Sequence, residues 1–213
     1  MIDHYRERFP NCRIVLYDNM STDNTVKIAR ANGCEVIPYD TNNQLQDSCY
    51  LEIKNNCWKN ALTDWVLVCD LDELLDINAA ELKQEDVLGT SIVRSEGYDM
   101  VTMEDNLDIA GMKYGARDDG LDKSCLFNKK YIREINYEVG CHRCNPIGTV
   151  KYSKKAYKLY HYCYINYSVT VERYRVYAKR MGPDKVINGY YTETPEEIRT
   201  LYAKAWSKAV KVR

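Results

Sequence analysis

The sequence predicts an α/β fold: a mixed, mostly parallel central sheet flanked by helices, with antiparallel additions in the second half. Three observations predict it. Apolar, β-rich runs alternate with helical patterns from residue 2 to residue 70. Turn and cap residues separate them. Beyond that point the strand-like runs follow one another with little helix between.

The elements come in this order. Residues 2–9 read as a short helix, and "CRIVLYD", 12–18, as a strand. "NMSTDNT" supplies turn residues, with Ser21 or Thr22 able to cap a helix running to Ala31 and Gly33 just past its end. Asp23 suits the start of that helix, where the dipole favours an acid. "CEVIPYD", 34–40, reads as the next strand, 46–62 as a helix, and "DWVLVCD", 64–70, as a buried central strand. This β-α-β-α-β order argues for parallel pairing. "DMVTM", "KSCLF", "INYEVGCH", "GTVKYS" and "YKLYHYCYI" look like further strands. A helix from Val169 to Met181 stops at Gly182-Pro183. Thr194-Pro195-Glu196-Glu197 opens a last helix with a cap residue, a proline at its first position and an acid at its third, as in a capping box, and that helix is expected to reach about residue 211. Residues 1–182 read as one domain. Residues 183–213 read as a helical extension that packs on it or leads to a further domain.

The bulk numbers exclude several classes. The 213 residues carry a net charge of −1, so no global basic field gathers nucleic acid. The basic runs 151–158 and 173–180 read as solvated faces. No apolar run approaches the ~20 residues of a membrane span, and the charged start "MIDHYRERFP" is no signal peptide. A soluble protein of a reducing, cytoplasmic compartment is expected. The nine cysteines are odd in number and scattered, which argues against a disulfide framework. Cys141-His142-Arg143-Cys144 with His161-Tyr162-Cys163 could supply zinc ligands, or the thiols simply pack in strands. Nineteen tyrosines stand against two phenylalanines; flat faces with a hydroxyl suit sugar or base rings.

"WVLVCDLDELLDI" poses the chemical question. If Asp70 and Asp72 end a strand, both face one crevice at its carboxyl edge, where open α/β sheets bind ligands. Converging carboxylates repel unless a cation lies between them, and a hard ion, Mn²⁺ or Mg²⁺, prefers oxygen ligands. The plainer alternative is acids that cap a helix starting near Leu74.

The neighbouring motifs carry a resemblance. "YDNMSTDNT" resembles the D-[DN]-x-S-x-D-x-T signature of family 2-like glycosyltransferases of the GT-A fold, Lys54-Asn55 is similar to their (R/K)-N pair, and "WVLVCDLDELL" to their D-x-D stretch. "DKSCLFNKKYI", "GCHRCNPIG" and "LYHYCYINYSVTVERYRVYAKRM" resemble looser elements of one branch, and the nearest likeness is to glycosyltransferase domains of large algal viruses, which would place the chain in a host cytoplasm. The resemblance spans roughly residues 2–182. These domains usually open with a strand before the first helix, and this chain starts at the helix.

The resemblance implies transfer of a sugar from a nucleotide diphosphate donor, a UDP-hexose or UDP-deoxyhexose, to a hydroxyl of a glycan or glycoprotein. Asp70 and Asp72 would bind the metal, with Asp70 also reaching the ribose, and His161 as a neutral third ligand. Asp18 and Asn19 would lie near base and ribose. Lys54, Arg173, Lys179 or Arg180 would offset phosphate charge. An inverting enzyme needs a general base; Glu138, Asp105 and Asp119 are candidates, Glu138 favoured because it precedes the G-x-H element, with His142 shaping the acceptor site. Residues 108–120 read as a mobile loop over the acceptor. Two alternatives stay open. One is a haloacid-dehalogenase-like phosphatase with Asp70 as nucleophile, Asp72 as acid/base and Asp118-Asp119 as a partial later motif. The other is a non-catalytic zinc-knuckle module.

Overall fold

The computed structural model describes residues 1–103, 109–181 and 191–213. It is mixed α/β, as the sequence predicts. The first half runs α1 (Ile2–Arg8), β1 (Val15–Asp18), α2 (Thr25–Ala31), β2 (Glu35–Pro38), α3 (Asp47–Asn56), β3 (Trp65–Leu67), β4 (Glu73–Leu75) and α4 (Ala79–Val87). The second half runs β5 (Ile92–Val101), β6 (Tyr114–Arg117), β7 (Leu126–Asn128), β8 (Ile132–Glu134), β9 (Ile147–Gly148), β10 (Tyr152–Tyr164), α5 (Tyr167–Lys179), α6 (Pro195–Lys208) and β11 (Ala209–Lys211).

The parallel share is smaller than expected. β1 and β2 pair in parallel as a sheet of their own, and β5 and β10 form the parallel spine of a seven-stranded sheet. That sheet runs β11-β6-β5-β10-β4, with β7 alongside β5 and β3 alongside β7. Its pairings other than β5 with β10 are antiparallel. Ile92, Phe127 and Ile132 are fully buried in one cluster with Trp58, whose ring meets that of Phe127 edge-on. Each such side chain contributes on the order of 1.5–3 kcal/mol.

Several local expectations change. Neither Ser21 nor Thr22 caps α2; Asn24 holds the N-cap position and Asp23 accepts from the Thr25 N–H. Gly33 does follow the helix end, at φ +65°. The helix expected over 46–62 stops at Asn56, and the strand expected over 64–70 ends at Leu67. "INYEVGCH" is a turn rather than a strand, because Asn136, Gly140 and Cys141 adopt positive φ. The last helix gives way at the extended Ala209 to β11, which pairs with β6. Thr194 and Glu197 form the expected capping box. α6 packs on β6, β5 and α5.

One glycine is decisive for the site. A Cβ on Gly97 would stand 2.1 Å from the Leu121 Cβ. Its absence lets the Asp119–Leu121 turn lie on β5 and delivers Lys123 beneath the sheet rim, where Ser95 and the Lys123 backbone exchange hydrogen bonds of 2.7 and 2.8 Å.

Candidate active site at the turn between β3 and β4

The chain leaves the sheet at Leu67 and re-enters it at Glu73, so Asp70 and Asp72 sit in a turn and not on a strand. Three β-strand residues, Glu73–Leu75, follow where a helix was the alternative. The turn is tied down by Tyr162 N–H donating to the Asp72 carbonyl at 2.8 Å and by the Asp70 N–H donating to the Glu73 carboxylate at 3.3 Å.

Cations from separate elements converge on these acids. Lys54, from α3, donates to Asp70 at 2.7 Å, and Lys123 stands 3.6 Å from its other oxygen. Lys123 also pairs with Glu73, both almost fully buried. Burial alone would push the Asp70 pKa up; the two lysines overcome it and hold the carboxyl below its ordinary value. Burial likewise works against the lysine charges, and the neighbouring acids override it. Arg173 of α5 and His161 of β10 each stand 3.6 Å from Asp72 Oδ2, ion pairs too long to be hydrogen bonds. Asp72 is the more accessible of the pair, with 39% of its side chain exposed against 32% for Asp70.

His161 is placed differently from the neutral ligand expected. Its Nδ1 contacts Asp99 at 2.7 Å while Nε2 faces Asp72. Burial lowers the ring's proton affinity, but two carboxylates on opposite nitrogens raise it far above the ordinary histidine value. Among the described residues the ligand atoms of Asp70, Asp72 and His161 are not gathered into one group of three; Asp70 is engaged by lysines, and His161 stands between Asp99 and Asp72. Asp72, a rim carboxylate whose two ion pairs are both long, is the acid of this turn that could offer oxygen to a hard divalent ion.

The Lys54-Asn55 pair divides two tasks. Lys54 turns to Asp70. Asn55 accepts from the Tyr137 N–H at 2.7 Å and donates to its carbonyl at 3.4 Å, which fixes the loop carrying Glu138. Glu138 and His142 line one cavity of about 700 Å³ together with Arg94, Arg117, Lys123 and Arg143. Lys123 thus connects the cavity to the acidic turn. His142 contacts the Gly120 carbonyl, and burial lowers its pKa. Tyr50 lies beneath Lys54, whose ammonium is 5.5 Å from the ring centre.

Several other expected residues have hydrogen-bond partners of their own. Asp18 is buried and accepts from the Ser21 N–H at 3.1 Å; Asn19 is bonded to Thr41. Arg180 donates to the Asn43 carbonyl, and Lys179 is exposed. Asp119 is exposed, and Asp118 accepts from the Gly120 N–H. Asp105 lies outside the described residues, as does Asp108 at the start of the expected loop. Asp118 is thus engaged in its own turn, and Asp70 is paired with Lys54. Cys141, His142 and Cys144 do not converge with His161 and Cys163 among the described residues, so no zinc knuckle of that composition forms. Sequence reasoning gave no role to Lys123, Glu73 or Asp99. Lys123 opens the quoted "KSCLF" and Asp99 the quoted "DMVTM", but nothing in those runs points at Asp70 or His161.

No family model matches the chain, and no curated protein matches it in sequence. Solved structures do. S. aureus TarS is 14% identical at a TM-score of 0.45, over 95% of this chain and 40% of that one. S. aureus TarS 1-349 in complex with UDP is 15% identical at 0.46, over 96% of this chain and 65% of that one. The chain spans less than two thirds of either. These are likenesses of broad arrangement only. Among the described residues no helix is long and apolar enough to cross a membrane.

Proposed function

We propose that the chain transfers a sugar from a nucleotide diphosphate donor, UDP-hexose or UDP-deoxyhexose, to a hydroxyl of a glycan or glycoprotein acceptor, with inversion. One observation carries the reading: Lys54, Lys123, His161 and Arg173, from four separated segments, gather at the turn that bears Asp70 and Asp72. Buried ion pairs add little net stability, so folding alone does not account for so many charges at one rim. A departing diphosphate does, because it needs fixed counter-charge that costs no reorganisation as its negative charge develops.

Mn²⁺ or Mg²⁺, held by Asp72 and through water by Asp70, would supply electrostatic stabilisation of the leaving diphosphate. His161 and Arg173 hold the Asp72 carboxylate at the rim. Lys54, swung from Asp70, meets the phosphate. Tyr50 offers a ring face to the sugar or base, and Asp18 and Asn19 shape the turn expected to meet base and ribose. In the 700 Å³ cavity Glu138 takes the acceptor's proton and His142 lines the acceptor's path. The Tyr137 clamp by Asn55 keeps Glu138 in place.

Calorimetry with UDP, with and without Mn²⁺, tests the proposal. The wild-type protein should bind UDP more tightly with the ion, and Asp72→Asn should lose that difference. Equal binding by Asp72→Asn would refute the metal role. A thermal-shift screen of nucleotide diphosphates and nucleotide sugars identifies the base, since a ligand of the folded state raises Tm by mass action.

A further inference from the structure

We infer that Asp99, His161 and Cys163 form a separate site for a borderline-soft divalent transition ion of the zinc class. Among the described residues they are the group of three His, Cys, Asp or Glu side chains whose ligand atoms all lie within 4.8 Å of one another. Neither acid of the β3–β4 turn belongs to it. The inference does not depend on the transferase reading.

The sheet builds the group. Asp99 and His161 are register partners in the parallel pairing of β5 with β10, so both project from one face. Cys163 lies two residues beyond His161 and shares that face. The contacts are already close: Asp99 Oδ1 is 2.7 Å from His161 Nδ1 and accepts from the Cys163 thiol at 3.0 Å. An ion would replace the two protons now held among these three atoms, and the ligands would spread by a few tenths of an ångström.

The donor set selects the ion. Sulfur, imidazole nitrogen and carboxylate oxygen together suit zinc and its first-row neighbours, whereas magnesium and manganese prefer oxygen alone. Three protein ligands leave one position open, the pattern of sites that bind water or substrate. A carboxylate faces the ring's other nitrogen too, at ion-pair distance and short of a hydrogen bond. A metal-bound histidine characteristically gives its second ring N–H to a carboxylate, and with Nδ1 on the ion, Nε2–H points at Asp72, 3.6 Å away. The strand bearing the thiol is held as well: Thr170 and Arg173 both donate to the Cys163 carbonyl, at 3.2 and 2.8 Å. Ligands on strands with fixed supports hold their geometry better than ligands on loops. Two ions of different character would then flank one imidazole, the soft one at Nδ1 and the hard one beyond Asp72.

Cobalt(II) titration tests this, because a cobalt–thiolate bond gives a near-ultraviolet charge-transfer band that oxygen and nitrogen ligands do not. The metal-free protein should show the band with one-to-one saturation, and zinc should abolish it by displacement. Cys163→Ser should lose the band. Asp99→Asn should weaken cobalt binding by at least about tenfold, the least that loss of even an outer-shell partner costs. Cys141→Ser, Cys144→Ser and Asp72→Asn should keep the band. A band that survives Cys163→Ser, or vanishes in Cys141→Ser, overturns the assignment. Should Cys163→Ser fail to fold, zinc X-ray absorption on the wild-type protein decides. A sulfur neighbour at about 2.3 Å supports the site, and a shell of nitrogen and oxygen alone rejects it.

Discussion

Two strand ends of this molecule carry acids, and they are satisfied in opposite ways. At the end of β1, Asp18 bonds the Ser21 N–H of its own turn and Asn19 reaches Thr41. At the end of β3, Asp70 and Asp72 draw Lys54, Lys123, His161 and Arg173 from distant segments. The first is a local solution that any tight turn adopts. The second requires charged side chains from four separated segments to meet, at a cost in desolvation and rotamer entropy. The difference teaches that residue type does not identify a site; the origin of an acid's partners does.

The largest effect that sharpens this contrast belongs to Lys123. Lys123→Met leaves Glu73, 1% exposed, without its ion pair. Removing one partner of a buried pair costs about 3–5 kcal/mol, to be read as a fall in the urea midpoint. Pairing it with Glu73→Leu should restore most of the loss, since two apolar residues of matching shape replace the pair without a stranded charge. Full loss in the double variant would show that Lys123 acts chiefly through Asp70. A smaller effect belongs to Asp18→Ala, which frees the Ser21 N–H and should cost about 1–2 kcal/mol by the same denaturation. Equal losses from Asp18→Ala and Lys123→Met would erase the distinction between the two strand ends.

Much of the fold was legible. A helix over most of Val169–Met181, observed at Tyr167–Lys179, and the cap chemistry of Thr194 and Glu197 both follow from period and cap residues, and the apolar run ahead of Asp70 does form a strand, though it ends at Leu67. What was not legible has physical causes. β4 is three residues long, and Glu73-Leu74-Leu75 has no period of its own; its pairing with β10 makes it a strand. The helix over 46–62 stops early because Cys57 and Trp58 turn into the core. β11 exists because the exposed edge of β6 accepts it. Of the site, the acids and three of their four cationic partners were visible, and Lys123 was not. Lys123 and Asp99 act through contacts with residues 50 or more positions away, a distance over which a single sequence carries no signal.

The smallest effect contrasts two histidines in place of two acids. His4 Nε2 lies 2.9 Å from the Leu75 carbonyl, and a carbonyl partner requires the ring to donate. That partner carries no charge, so burial dominates and the His4 pKa falls below 6.5. His161, held between Asp99 and Asp72, moves the other way. The signs follow from linkage. For His4 the unfolded chain takes up a proton first, so its contribution is fully present above pH 6.5 and is lost as pH falls through the lowered value. For His161 the folded chain holds the proton more tightly, so its contribution is present below pH 6.5 and is lost only as pH rises through the raised value. His4→Gln should therefore flatten the acid limb of a plot of stability against pH, and His161→Gln the alkaline one. In His4→Gln the new side-chain amide can still donate to the Leu75 carbonyl, so this variant isolates the proton from the hydrogen bond. An acid limb unchanged in His4→Gln would mean that the ring reaches water freely enough to charge at its ordinary value, and that of the two histidines only His161, through its counter-charge, is set apart from the unfolded chain.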